Sequence, residues 1–157
     1  MVCLERLVRD FRNAIDIAWE KDRFLRIYPF NRFPDDCCGH ASDLLCQYLL
    51  ENGIETRLIN GTCRKDSQWH HVWLETDDGI VIDITRDQFI GRLVTEEEAE
   101  AVHIGREGLV HRIFCKNRVL EDQTIFTDAD QFTGFGGRPS SYQQTLIELN
   151  SIIREYL

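Results

Sequence analysis

The stretch that most constrains this chain is a hairpin signal. Trp69 to Thr76 and Ile80 to Thr85 are rich in β-branched and aromatic residues, and Asp77-Asp78-Gly79 lies between them. Two such segments around an acidic, glycine-ended turn are expected to pair antiparallel. Pairing decides which side chains can meet, because alternate strand residues point to opposite faces. His71, Trp73 and Glu75 share one face, Val72 and Leu74 the other, and Asp83 sides with Val81 and Thr85. A two-residue Asp78-Gly79 loop pairs Asp83 with Leu74 and turns the carboxylate away from His71. A three-residue loop pairs Thr76 with Ile80 and sets Asp83 opposite Trp73. Asp83 is then diagonal to His71 on the same face, about 7–8 Å away between backbones. A type I turn ending in a left-handed Gly79 suits these residues, so any joint chemistry of His71 and Asp83 requires the longer loop.

The flanking chain reads as follows. From Val2 to about Lys21, Leu4, Leu7, Val8, Phe11, Ala14, Ile15, Ala18 and Trp19 recur every three or four residues, the pattern of an amphipathic helix. Pro29 and Pro34 bias their predecessors away from helix, so Asp22 to Asp36 is an ordered, non-helical approach. Asp35 or Asp36 is expected to cap a helix running to about Asn52, with Leu44, Leu45, Tyr48 and Leu49 as its stripe and Gly53 just past its end. Cys37 and Cys38 then fall in its first turn. Ile54 to Cys63 is a strand candidate, followed by a polar turn at Arg64-Lys65-Asp66-Ser67. Thr95 to Ala101 is acidic and fits a helical turn or two. Leu109 to Val119 has strand-like patches, and Phe132 to Pro139 is a glycine-rich loop. Ser141 with Gln144 offers a capping box for a last helix, with Tyr142, Leu146, Leu149, Ile153 and Tyr156 apolar. No repeat, low-complexity tract or linker divides the 157 residues, so 1–157 is expected to be one domain.

The balance of 27 acidic against 18 basic residues, a net charge of -9, disfavours duplex nucleic acid or an anionic membrane as the main partner. No apolar run approaches the roughly 20 residues of a membrane span. The first residues, Met1-Val2-Cys3-Leu4-Glu5-Arg6, lack the charged head and apolar middle of a signal peptide. The six cysteines are irregularly spaced and two are adjacent. Reduced thiols in a cytoplasmic protein are therefore expected.

Thiol, imidazole and carboxylate occur in an order that suits a nucleophilic cysteine. A free thiol has a pKa of about 8.5 and attacks as the thiolate. A helix N-terminus favours negative charge through its unpaired amides and dipole. A neighbouring imidazolium does the same and can later protonate a leaving amine. The first-turn amides could also bind a tetrahedral oxyanion, with Gly39 letting a substrate backbone approach. Each residue also has an ordinary explanation. Cysteines pack as small hydrophobes, strand histidines pack or face solvent, and aspartates near strand ends make turns. The set is lifted by the first-turn position, the chain order, and an Asp83 flanked by Val81, Ile82 and Ile84, since an apolar strand rarely carries a carboxylate without a partner. Metal donors are plentiful in Cys37, Cys38, His40, Cys63, His70, His71, His103, His111 and Cys115, yet none shows the close spacing of a zinc module. A Cys37–Cys38 disulfide would be strained.

Cys38-Gly39-x-Ala41-Ser42, His71-x-Trp73-Leu74-Glu75 and Ile82-Asp83-Ile84-Thr85-x-Asp87-Gln88-Phe89 together resemble the transglutaminase-like group of papain-fold cysteine enzymes, in particular small bacterial members. The matched blocks run from about Pro34 to Phe89, roughly a third of the chain. The resemblance implies an α+β fold with a papain-like core, its nucleophile helix packed on an antiparallel sheet. It implies a catalytic triad of Cys38, His71 and Asp83, a thioester intermediate and no metal or other cofactor. Cys37, His40 and His70 match no required position. No oxyanion-hole side chain has a clear counterpart, and Asn31, Gly39 and Trp69 are the candidates for oxyanion or substrate contacts. The expected activity is cysteine-dependent amide hydrolysis, of the peptidase (cysteine protease) or deamidase type, on a peptide or protein. Acyl transfer to an amine and a non-catalytic binding module on the same fold are the alternatives.

Overall fold

The first amphipathic segment forms α1, Leu4–Glu20, which buries Leu7, Val8, Phe11, Ala14, Ile15 and Ala18 along one face. Trp19 lies off that face and is exposed. The computed structural model describes residues 3–95, 100–119 and 140–157. After a short 3-10 turn at Phe30–Arg32 the chain enters α2, Cys38–Glu51. Neither Asp35 nor Asp36 caps it. Asp36 pairs with Arg32 at 3.0 Å, and Cys37 takes the capping position without a side-chain bond. Cys37 therefore precedes the helix and Cys38 is its first residue. The other end follows expectation. Gly53 has φ +80°, its amide donates to Leu50 O at 2.9 Å, and that of Ile54 donates to Leu49 O at 2.9 Å, the double closure that a left-handed glycine permits.

Five strands follow: β1 (Arg57–Cys63), β2 (His70–Glu75), β3 (Val81–Asp83), β4 (His103–Gly105) and β5 (Phe114–Val119). They form one sheet in the order β4-β3-β2-β1-β5, with every neighbouring pair antiparallel. The class is α+β. At the β2–β3 turn the Thr76 amide donates to Ile80 O at 3.0 Å and Gly79 has φ +84°. Leu74 pairs with Ile82 and Glu75 with Val81, so the loop has three residues, Asp77-Asp78-Gly79.

The strand-like Leu109–Val119 segment divides into a short helix α3, Leu109–Ile113, and β5. The His111 side chain explains the helical half. It sits three residues past Gly108 and accepts that residue's amide at 3.1 Å, closing a local cap. The last helix, α4, spans Ser141–Arg154. Its capping box uses Ser140 and Gln143, one residue earlier than Ser141 and Gln144. The Gln143 amide donates to Ser140 Oγ at 3.2 Å, and the Ser140 amide to Gln143 Oε1 at 2.9 Å. The doubled serines and glutamines made both registers available. The acidic residues 96–99 and the glycine-rich residues 132–139 lie outside the described residues.

The sheet separates two cores. One joins α1, α2 and α4 to Leu58, Leu74 and Ile82. On the other, Ile59, Trp73 and Val81 meet Phe89, Val94, Val110 and Phe114. Arg12 ties α1 to the chain leaving β3, donating to Ile84 O at 2.6 Å and to both Asp87 oxygens at 3.0 and 2.8 Å. Among the described residues no helix is long and apolar enough to cross a membrane.

Candidate active site

The three-residue turn brings Asp83 and His71 together. Asp83 Oδ2 lies 2.7 Å from His71 Nε2, and its Oδ1 accepts the Thr85 amide at 3.0 Å. A second ring shares Oδ2, with His111 Nε2 at 2.9 Å. His71, Asp83 and His111 are 0%, 2% and 1% exposed, so these contacts decide their charges without help from solvent. Burial favours a neutral Asp83, but the His71 charge and the hydrogen bonds from His111 and His71 prevail and hold its pKa well below the usual carboxylate range. Burial likewise lowers the His71 pKa. The Asp83 charge and hydrogen bond, aided by Cys38, reverse the sign and raise it from 6.5 to about 10. The pair is an imidazolium and a carboxylate.

The partners of His111 settle its tautomer. Its Nδ1 accepts the Gly108 amide, so the ring proton is on Nε2 and is donated to Asp83. Aromatic side chains surround the His71 ring, with centroids at 4.8 Å for Phe89, 5.6 Å for Phe114 and 5.7 Å for Trp73. Gly61 sits across β1 from His71. A Cβ there would come within 2.6 Å of the Trp73 ring and 2.7 Å of Phe114 O, so only glycine permits this close packing.

Cys38 approaches from the other side of the sheet. The α2 N-terminus leans on β2, where Ser42 Oγ donates to Val72 O at 3.4 Å. The Cys38 sulfur is the second group, after Asp83, that acts on the His71 ring. Nε2 is committed to Asp83, which leaves Nδ1 for the thiol. Nδ1 is buried and makes no well-directed hydrogen bond, the loose thiol–imidazole geometry common without substrate. The first intrahelical bond runs from the Ala41 amide to Cys37 O at 2.8 Å, so the Cys38 and Gly39 amides precede it and face out of the helix end. A Cβ on Gly39 would meet nothing within 4 Å. The space beside Cys38 is open.

The neighbours of these residues are differently placed. Cys37 is fully buried. Its thiol lies 3.2 Å from both Pro29 O and Asp35 O, which share its one proton, and burial first, then Cys38, Asp36 and Asp35, push its pKa far up. The exposed His70 keeps Nδ1 near Thr62 Oγ1 (3.3 Å) and Asn60 Nδ2 (3.4 Å). His40 is half-buried, burial lowers its pKa, and its ring lies 4.5 Å from that of Tyr142. The Tyr142 hydroxyl donates to Asp43. Burial, then Asp43 and the more distant Cys38, raise its pKa. Tyr142 of α4 thus meets α2 through Asp43 and His40.

Of the three oxyanion or substrate candidates, Gly39 adjoins Cys38. Asn31 is exposed and lines a hollow of about 70 Å³ with Trp19, Asp22, Phe24 and Leu25. Among the described residues no hydrogen bond joins it to Cys38 or His71, so the structure gives no support to an oxyanion role. Trp69 lines a cavity of about 690 Å³ with Cys63, Leu93 and Ile113 among others. Its ring packs edge-on against Phe114 at 6.1 Å and carries the Arg92 guanidinium at 5.1 Å.

His71, Asp83 and His111 also have the composition of a metal site, with donor atoms within 4.8 Å of one another. Their arrangement suits protons better. Ligand atoms about 2.0–2.2 Å from a tetrahedral ion stand roughly 3.3 Å apart, whereas Oδ2 is hydrogen-bonded at 2.7 and 2.9 Å. His111 further presents Nε2–H, not a lone pair, because the Gly108 amide occupies its Nδ1. His111 escaped the sequence reading except as a possible donor, since it sits 28 residues beyond Asp83 on another element. No periodicity links the two. Compared with protein-family models, curated proteins and solved structures, the chain matches none.

Proposed function

We propose that the protein is a cysteine-dependent amide hydrolase of the transglutaminase-like kind, with a papain-like core, acting on a peptide or protein. One observation carries this reading: Asp83 and Cys38 act on the same buried His71 ring, and the carboxylate takes Nε2, which leaves Nδ1 for the thiol. An imidazolium held by Asp83 is the counter-charge that a thiolate at Cys38 needs.

The sulfur attacks the amide carbonyl carbon and forms a C–S bond. The carbonyl oxygen becomes an oxyanion facing the Cys38 and Gly39 amides at the α2 N-terminus. Collapse breaks the C–N bond, and His71 gives its Nδ1 proton to the departing nitrogen, leaving a thioester and a free amine or ammonia. The neutral ring then takes a proton from water as the oxygen attacks the thioester. Breaking the C–S bond releases the carboxylic acid and restores the thiolate–imidazolium pair. Asp83 stays ionised throughout and holds the tautomer. The cavity beside Trp69 is within the size range of ligand sites. Phe114 packs on both Trp69 and His71, which links one wall of the cavity to the ring.

Iodoacetamide labelling followed by peptide mapping tests the assignment. At neutral pH Cys38 is expected to react at least tenfold faster than the exposed Cys3. His71→Ala should remove the advantage while far-UV circular dichroism stays unchanged. Equal labelling of Cys38 and Cys3, unaffected by His71→Ala, would refute the reading.

A further inference from the structure

We infer that His111 is a positioning residue of this site, orienting Asp83 and sharing its Oδ2 so that His71 does not hold its proton too tightly. The inference rests on the hydrolase reading and adds a fourth side chain to the triad. The geometry is complete at every polar atom of the ring. Nδ1 accepts the Gly108 amide at 3.1 Å and Nε2–H donates to Asp83 Oδ2 at 2.9 Å. With the Thr85 amide on Oδ1, the carboxylate is held by two donors besides His71 and cannot swing away when the His71 proton moves.

Ionisable groups face His111 from several elements. His71 on β2 and Asp83 on β3 form the ion pair, with Cys38 of α2 beyond it. From β4, the His103 ring lies 4.9 Å from that of His111. The Nδ1 of His103 is 3.0 Å from an Arg86 guanidinium nitrogen and its Nε2 is 2.7 Å from Arg106 O. It too is a neutral Nε2–H ring, with burial as the main cause of its lowered pKa. His111 donates as a neutral ring because its Nδ1 accepts the Gly108 amide and so carries no proton. A neutral donor on an ionised acceptor weakens that acceptor's pull on other protons. Without His111, Oδ2 belongs to His71 alone. The imidazolium is then stabilised further, so it releases its Nδ1 proton less readily, and a ring that holds that proton too firmly is a poor general acid and a slow-forming general base.

Imidazole proton and nitrogen NMR on the full chain reads this directly, without a substrate. Wild-type His111 is expected to show a protonated Nε2 and a bare Nδ1. In His111→Phe the His71 Nε2–H resonance should move further downfield. Steady-state hydrolysis of p-nitrophenyl acetate, in which water must resolve the Cys38 thioester, should fall about tenfold at pH 7.5. The rise of its rate with pH should shift upward by about one unit, the size expected for one hydrogen bond to a charged group. His111→Gln, whose amide still donates, should restore the resonance and the pH profile. A wild-type His111 protonated on Nδ1 overturns the inference. So does a folded His111→Phe with resonance and pH profile unmoved, or a His111→Gln no better than Phe. If the Phe variant does not fold, the wild-type tautomer and an unshifted profile in His111→Gln still decide. Failure of the hydrolase reading looks different: wild-type Cys38 then reacts no faster than Cys3, whatever the state of His111.

Discussion

Asp83 is a buried carboxylate whose oxygens are all used, and this makes its replacement diagnostic. Oδ2 receives two ring N–H groups and Oδ1 a backbone N–H. In Asp83→Asn the amide nitrogen must face a donor in either orientation, and His71 loses its counter-charge. A stability loss of about 3–5 kcal/mol is expected, the range for breaking a buried pair from one side. Urea denaturation measures it, and a loss under 1 kcal/mol would mean the ion pair is not formed in solution. That Asp83 can meet His71 was legible from strand alternation and a three-residue turn, whereas the choice of His71 over His70 came from a resemblance. The choice of Cys38 over Cys37 came from the same resemblance, and the structure supplies a physical reason for it: Cys37 points into the core, where two carbonyls share its thiol proton. The contact of His111 with Asp83 was not legible, because it depends on how distant elements pack.

At the level of elements, the β2–β3 hairpin carries the argument. Its three-residue turn pairs Thr76 with Ile80, which puts Asp83 on the His71 face. Deleting Asp77 leaves a two-residue Asp78-Gly79 loop, pairs Asp83 with Leu74 and sends its carboxylate to the opposite face. The deletion variant is expected to label Cys38 no faster than Cys3 while keeping most of its strand signal by circular dichroism. Retained fast labelling would show that the register does not control the site. The helices illustrate two kinds of legibility. The α2 C-terminus was readable because Gly53 alone fits the left-handed closure. The N-terminal caps of α2 and α4 were not, since adjacent candidates (Asp35 and Asp36, Ser140 and Ser141) differ only by which one the incoming chain delivers. Leu109–Val119 failed for a similar reason: a five-residue helix is too short to display a period, and a side-chain cap from His111 sets it.

For the whole molecule, the site lies where the two cores meet through the sheet, and Arg12 clamps α1 to the strand exit that follows Asp83. Site charge and global stability are therefore coupled. His71 has a folded pKa raised above its unfolded value, so its contribution is full below about pH 6.5 and disappears as pH rises through about 10. Asp83 has a folded pKa depressed below 3.8, so its contribution is full above that value and is lost as pH falls below it. The pair stabilises fully between about pH 4 and 6.5. The Tm difference between wild type and His71→Phe is expected to be largest in that window and to shrink toward pH 10. A difference that grows with alkalinity would reverse the assigned charges.

By itself the sequence determined what is local or periodic: the faces of α1 and α2, the glycine closure of α2, and a hairpin in which His71 and Asp83 can meet. These follow from side-chain spacing and backbone preference, which act over a few residues. Tertiary structure decided the rest. It brought the thiol of α2 to the ring of β2, turned Cys37 inward, demanded glycine at position 61 beneath Trp73, and seated His111 on the carboxylate. Each of these depends on the volume and hydrogen-bonding of groups far apart in the chain. The turn fixed the possibility of the His71–Asp83 pair, and packing gave that pair its charge.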